Sequence, residues 1–313
     1  MSYTKQLEEI TKESVSEAGG KGASLGEMMQ AGFPVPPGFV ITSSTYDEFL
    51  DRLNVKEDIN AQLKTVDLND MNSVEKATAV IHDIIHDVQI PDDMQKEFLA
   101  EFDKLDATFV AVRSSATAED SAVASWAGEL ETYLNTTKIT YINNIKKCWA
   151  SLFSPRAIFY RMENKLEDAK VSVAVVVQKM VNSDVAGVIF TVHPVTKNDN
   201  QMIIEAGFGL GEMLVSGQIT PDSYIVAKDS LTLIDSNIST QTSKMVRNES
   251  GINEIVKFSE EEGSKQKLTT DQIQQLAETA KKIEAHYGFP SDIEWAIEGS
   301  DIFITQSRPI TTL

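Results

Sequence analysis

One cysteine, Cys148, serves all 313 residues. A single thiol can neither close an internal disulfide nor build a cysteine zinc cluster, and a reducing cytoplasm is the compartment that fits best. No apolar run reaches the length that spans a bilayer. Met1-Ser-Tyr-Thr-Lys-Gln lacks the basic and apolar regions of a signal peptide. Positive charge is in short supply: 28 lysines and arginines face 47 acidic residues, for a formal net charge of -19. That argues against a nucleic-acid backbone as the main partner. It does not exclude an anionic ligand, because a few cations focused in a cleft can dominate locally. There is no internal repeat and no low-complexity tract. The remainder is ordinary for a soluble globular protein, 42% hydrophobic and 24% charged. The length allows one large α/β unit or two to three lobes.

The apolar pattern divides the chain. Residues 1–18 are polar, with a weak helical pattern. The glycines of Gly19-Gly-Lys-Gly22 read as the start of a loop; Leu25, Met28 and Met29 then fall at helical spacing, and Gly32 suits a helix end. A proline-stiffened entry from Phe33 leads into a short strand ending at Thr42. Ser43 or Ser44 caps a helix through about Leu53. Residues 54–107 read as helices, with Val74, Ala77, Ile81, Ile84 and Ile85 near a 3.6 period. Phe109 to Arg113 is a buried strand that delivers Arg113 to a small, polar loop. Glu129 to Asn135 is a strand, and Ile139 to about Asn164 is helical, broken or restarted at Pro155. From Val173 the pattern becomes β: Val173–Val181, Ala186–Val192 and Gln201–Ala206, then a hairpin of Asp222–Lys228 with Leu231–Asp235. Residues 236–268 read as a polar, mobile stretch. Asp271–Tyr287 is a helix with Ile273, Leu276, Ala280 and Ile283 on one face.

The closing stretch, Ser291 to Pro309, holds two strand-like runs around Gly299-Ser300-Asp301. Residues two apart on a strand share a face, so Asp292 pairs with Glu294 and Gln306 with Arg308. A three-residue turn would set Glu294 opposite Gln306 and Asp292 opposite Arg308, all on one face. A two-residue turn would split the pairs. On one face, two carboxylates and an arginine suit a Mg²⁺-triphosphate: hard oxygens for the metal and a forked cation for phosphate. The alternative is an edge hairpin with a solvated polar face.

Other candidates carry their own alternatives. Lys21 between glycines before a helix can bring an ammonium and backbone N–H groups to an anion, although the segment is not a Walker loop; otherwise it is an exposed lysine on a flexible turn. Arg113, followed by Ser114, Ser115 and Thr117, suits phosphate, or else pairs with Glu119 or Asp120. Gln178 to Val181 ends an apolar strand and could edge a purine, with Met180 against the ring, or be core. Gly207-Phe-Gly-Leu-Gly211 misses the dinucleotide spacing by one residue and reads as close backbone packing. His82 and His86 share a helix face, but Asp83 stands where a zincin needs Glu. Cys148 reads as core.

Seven blocks in order across nearly the whole chain resemble the nucleotide-binding domain of the phosphoenolpyruvate synthase and pyruvate phosphate dikinase family, which includes rifampin phosphotransferase. They are Gly19-Gly-Lys-Gly-Ala-Ser-Leu-Gly-Glu-Met with Pro34-Val-Pro-Pro-Gly-Phe; Val110-Ala-Val-Arg-Ser-Ser-Ala-Thr-Ala-Glu-Asp; Ala127-Gly-Glu-Leu-Glu-Thr-Tyr-Leu-Asn; Val177-Gln-Lys-Met-Val; Gly187-Val-Ile-Phe-Thr; Glu205-Ala-Gly-Phe-Gly-Leu-Gly-Glu; and Asp292-Ile-Glu-Trp with Gln306-Ser-Arg-Pro. The resemblance implies an α/β, ATP-grasp-like domain of two to three lobes with mainly antiparallel sheets, clamping ATP. Approximate lobes are 1–107, 108–180 and 181–313. It implies that Lys21 and Arg113 hold phosphates, with Arg308 at the groups being transferred. Gly128 and Thr132 lie in a phosphate-covering segment. Gln178, Met180 and Val181 frame the adenine, and Glu294 and Gln306, with Asp292, bind Mg²⁺. Family enzymes pass phosphoryl groups from ATP to a histidine on a swivelling domain, release AMP, and then phosphorylate pyruvate or another small acceptor. None of the four histidines lies in the glycine- and threonine-rich setting of that histidine. The expectation is a fragment of a longer enzyme, or an ATP-binding subunit that works with a partner in trans. A non-catalytic ATP sensor and a self-contained ATP-grasp ligase are the alternatives.

Overall fold

The valine-rich run from Val173 becomes the central strand of a five-stranded sheet in the computed structural model of the chain. That structure describes residues 2–117, 120–121, 124–125, 131–163 and 171–310. Residues Met1–Gln30 and Pro37–Met180 form one compact unit, and Ala31–Pro36 with Val181–Leu313 form a second.

In the first unit the strand order is Thr4–Gln6, Gly38–Ile41, Val173–Lys179, Val110–Ala116, Thr132–Thr136, every neighbour antiparallel. Strands from residues 1–107 and from 108–180 therefore interleave in one sheet. One face carries Phe39, Ile41, Val110, Val112, Val173, Val175 and Val177, and packs into the main core with helices Ser43–Arg52, Met71–Asp87, Asp92–Lys104 and Tyr141–Ala150. Trp149 anchors that core, its ring 4.5 Å from Phe49 and 5.9 Å from Tyr46 between centroids. Cys148 is buried and unpaired. Pro155 opens the helix Pro155–Glu163 after a tight turn at Ser151–Phe153, as a residue without an N–H does best.

The helix Val15–Gln30 lies on the other face. The glycines expected to start a loop are inside it, with one kink at Gly19 (φ 68°). The cause is a close approach that the local sequence does not show. A Cβ on Gly19 would sit 2.2 Å from Ser115 Oγ and 2.3 Å from the Ser115 carbonyl oxygen. A Cβ on Gly22 would meet Val40 and Val176 at 3.2 and 3.5 Å. The expected weak helical pattern in residues 1–18 resolves into the strand Thr4–Gln6 and two short 3₁₀ turns before this helix.

In the second unit six strands run in the order Leu233–Asn237, Asp222–Ala227, Gln201–Phe208, Val185–Phe190, Ser291–Glu298, Asp301–Pro309, again all antiparallel. Helix Thr270–Tyr287 packs on this sheet and buries Ile273, Leu276, Ala280 and Ile283. The stretch expected to be a mobile loop, 236–268, instead holds a strand pair, Ser243–Arg247 with Asn253–Lys257, and the helical turn Glu260–Gly263. A buried ion pair ties it down: Lys267 Nζ lies 2.8 Å from Asp222 Oδ1, both side chains fully inaccessible. Asp222 also accepts from the Ser239 N–H, the Lys267 N–H and the Tyr224 hydroxyl.

Candidate functional site

In the first unit the site is built by strand parity. Ala111, Arg113 and Ser115 share the face opposite the main core, and the register sets Gln178 beside Ala111, and both Val176 and Thr132 beside Arg113. Arg113, Thr132 and Gln178 thus lie on one face. The helix bearing Lys21 packs on that same face, its Gly22 N–H donating to Ser115 Oγ at 3.2 Å. Arg113 does not end its strand as expected. The strand continues through Ser114, Ser115 and Ala116, which pair with Val175, Ala174 and Val173. Arg113 is therefore held inside a sheet, 8% exposed, where a guanidinium has less water to compete with a ligand. At the end of the neighbouring strand, the N–H groups of Lys179 and Met180 donate to Pro37 O and Phe109 O at 2.9 and 3.1 Å. Both N–H groups are thereby engaged within the protein, and the Met180 side chain is half-buried. Val181 begins the second unit. Gly128 lies outside the described residues, as do Glu119 and the side chain of Asp120, the alternative partners of Arg113.

In the second unit the closing hairpin answers the question of turn length in an unexpected way. Glu298 pairs with Asp301, so the turn has two residues, Gly299 and Ser300. By itself that turn would separate the polar pairs. A β-bulge corrects it: Trp295 pairs with Ile304, but Glu294 pairs with Gln306 and Asp292 with Arg308, which leaves Thr305 as the extra residue. All four side chains come to one face. Gln306 Nε2 donates to Glu294 Oε1 at 3.1 Å. Arg308 Nε donates to Asp292 Oδ2 at 2.9 Å, with a second guanidinium nitrogen 2.8 Å from the same oxygen. The opposite face of the strand, Ile293, Trp295 and Ile297, is sealed in the core. Beside the bulge, the Ile304 N–H donates to Pro34 O at 2.8 Å, which covers part of the sheet's outer edge.

A third carboxylate joins this face. Across the sheet Gln306, Glu294, Val188 and Glu205 form one row of direct partners. Burial, and then the Asp292 carboxylate, push the Glu205 carboxyl above its ordinary range. Sequence reading had Glu205 in a matching block but gave it no role. The signal was there: an acid inside the apolar strand Gln201-Met-Ile-Ile-Glu-Ala. The smaller contribution, from Asp292, is like charge on this face, which a divalent cation would relieve. Among the described residues no three His, Cys, Asp or Glu side chains close into a metal cage. Mg²⁺ does not need one, since it is usually held by one or two protein oxygens with substrate phosphates and water. Glu294 and Gln306 supply oxygens of that kind, so the residues fit the ion.

The remaining candidates have structural roles. Burial holds the His82 imidazole below its usual range. His193 Nδ1 accepts the N–H groups of Val195 and Thr196. His286 packs edge-on against Phe33 and Tyr287. Gly209, at φ 86°, has the backbone of Met245 against it, which confirms close packing in the glycine-rich connection.

The family model of the pyruvate phosphate dikinase AMP/ATP-binding domain matches residues 15–313. The chain belongs to that family. A probable phosphoenolpyruvate synthase of Methanothermobacter thermautotrophicus is 43% identical over 318 residues, which cover 99% of this chain and 46% of that protein. One from Methanocaldococcus jannaschii is 42% identical, covering 100% of this chain and 27% of that protein. The rifampicin phosphotransferase of Bacillus subtilis is 40% identical, covering 98% and 36%. The chain thus spans less than half the length of these relatives. Its mixed α/β architecture with antiparallel sheets is that of the family's ATP-grasp-like nucleotide-binding domain. Among the described residues no helix is long and apolar enough to cross a membrane.

Proposed function

We propose that this chain takes Mg²⁺-ATP and passes phosphoryl groups from it to a histidine on a swivelling domain, in the same polypeptide or in trans, with release of AMP. The observation that carries this reading is the hairpin face of Asp292, Glu294, Gln306 and Arg308 in a chain of an AMP/ATP-binding family. Phosphoryl transfer asks a protein chiefly for positioning and charge neutralisation. Lys21 and the sheet-held Arg113 meet phosphate oxygens, Arg113 as a fork and Lys21 as a point charge. Thr132, across from Arg113, and Gly128 belong to the segment that covers the phosphates. Gln178, Met180 and Val181 hold the purine. Glu294 and Gln306, with Asp292, would hold Mg²⁺, which when bound supplies neutralising charge at the phosphates. Asp292 aims the Arg308 guanidinium, which meets the groups in transfer. The final acceptor is pyruvate or another small molecule, reached through the histidine domain. The cytoplasm is the proposed compartment, in keeping with one unpaired, buried cysteine.

The test uses ATP labelled in its β-phosphate, this chain, and a separately produced histidine domain from a phosphoenolpyruvate synthase. Acid-labile label on the histidine, with AMP as product, is expected. Arg308→Ala should lower the rate by about 10³-fold, the lower end for an arginine at transferring phosphate. ADP as the product would point to a ligase instead. ATP binding without transfer to a competent histidine domain would point to a sensor.

A further inference from the structure

The two edges of the second unit's sheet are finished differently. At one edge, strand Asp301–Pro309 ends in a proline, and its Ile304 N–H is taken by Pro34 O. At the other, strand Leu233–Asn237 pairs with Asp222–Ala227 on one side, and among the described residues no strand pairs on its other side. All five of its residues are exposed. Leu233, Ile234 and Ile238, the residue after the strand, are 43%, 51% and 38% exposed. Folded proteins blunt such edges with lysine, proline or bulges. Here a bulge falls at Ile234, but there is no lysine, arginine or proline from Asp229 to Ser243. Beyond the bulge, Asp235, Ser236 and Asn237 pair regularly with Ile225, Tyr224 and Ser223. Both ends of the strand are pinned. The Ala227 N–H donates to Thr232 O at 2.9 Å, and the Ser239 N–H to the buried Asp222 at 3.0 Å. The Ser236 N–H turns to the carboxylate of its own neighbour, Asp235, at 2.9 Å, a local bond that stands in for a further strand.

We propose that this edge pairs antiparallel with the same edge of a second copy of the chain, across a two-fold axis at Ser236. The occupant follows from the order of the residues. When a strand pairs antiparallel with its own copy, directly opposite residues lie equally far from the axis. With the axis at Ser236, two serine hydroxyls meet and can hydrogen-bond. Asp235 faces Asn237 of the second copy, twice over, a carboxylate against an amide donor. Ile234 faces Ile238 of the second copy, again twice. Neighbouring registers fail. An axis at Asp235 sets two carboxylates opposite each other, one at Ile234 sets Leu233 against Asp235, and one at Asn237 sets Ser236 against Ile238. Charge favours the same stretch. Copies with a net charge of -19 repel each other, and Asp235 is the one charge between Ser230 and Ser243, so two copies can approach here. The pairing does not involve Asp292, Glu294, Gln306 or Arg308, which belong to the last two strands towards the other edge. It therefore holds whether or not the ATP reading does.

Sedimentation velocity on the full chain, from about 1 to about 100 µM, reads the mass against 34.5 kDa for one copy. A reversible dimer is expected. It should tighten as salt rises from about 0.05 to about 0.5 M, because screening relieves the net repulsion. Ile234→Lys should weaken the dimer at least about 100-fold, and thermal melting checks that the variant stays folded. Ser236→Cys should give a disulfide-linked dimer on oxidation with diamide. Val195→Cys, an exposed position outside the edge, should not. Cys148 is buried and does not compete. A monomer at every concentration would overturn the proposal and leave the edge to a different polypeptide. So would a dimer that survives Ile234→Lys in folded protein, or one that Ser236→Cys does not cross-link, since either assigns the contact to another surface.

Discussion

Four donors converge on a single oxygen of Glu97: the Ser2 hydroxyl, the Tyr3 N–H, and both the N–H and hydroxyl of Thr4, at 2.7–2.8 Å. They hold the first strand to helix Asp92–Lys104. Burial works against the charge, but these bonds prevail and keep the carboxyl below its ordinary value of 4.5. A depressed carboxylate gives stability that is present above the unfolded value and lost as pH falls through the folded one. Glu97→Gln should therefore cost about 1–2 kcal/mol at pH 7, measured by urea unfolding. The gap to wild type should close as pH drops from 5 towards 3; a gap that stays constant would rule out this role. The Asp222–Lys267 pair makes a second residue-scale prediction. Lys267→Met leaves Asp222 charged and buried without its cation, and should cost about 3–5 kcal/mol. Loss of amide-exchange protection in residues 236–268 before the rest of the unit would confirm the tether.

Elements show where local sequence is informative and where it is not. Helix Thr270–Tyr287 was legible from period alone, because Ile273, Leu276, Ala280 and Ile283 meet one sheet. The Gly19–Gly22 run was not, since glycine is a poor helix former and its reason here is a contact with Ser115, 93 residues from Gly22. The same limit applies to Arg113: Ser114 and Ser115 read as loop residues, yet pairing with the valine strand extends the strand through them. In the closing hairpin, alternation gave the right pairs, and the parity rule left two registers open. Thr305 has nothing in its chemistry to announce a bulge, so the deciding residue was invisible. The contrast between two glycines is testable. Gly19→Ala meets Ser115 at 2.2 Å with φ +68°, whereas Gly288→Ala at a helix C-terminus meets nothing within 4 Å. Gly288→Ala should cost about 1 kcal/mol from its backbone angle alone. Gly19→Ala should cost about 3 kcal/mol or more, since strain and overlap add. Equal shifts in melting temperature would show that the approach to Ser115 does not constrain the helix bearing Lys21.

At the scale of the whole molecule, the net charge of -19 repels a tetra-anionic nucleotide unless cations are concentrated where it sits. In the first unit the helix bearing Lys21 packs on the sheet face that carries Arg113, and the second unit presents Arg308 with oxygens suited to Mg²⁺. The account therefore requires Lys21, Arg308 and the metal for tight binding. The direct measurement is calorimetric titration of ATP, with Mg²⁺ and with EDTA, into wild type, Lys21→Gln and Arg308→Ala. The account predicts binding that weakens at least about tenfold when Mg²⁺ is removed, and by a similar factor with either substitution, while melting temperatures remain within a few degrees of wild type. ATP affinity indifferent to Mg²⁺ and to both substitutions would contradict it.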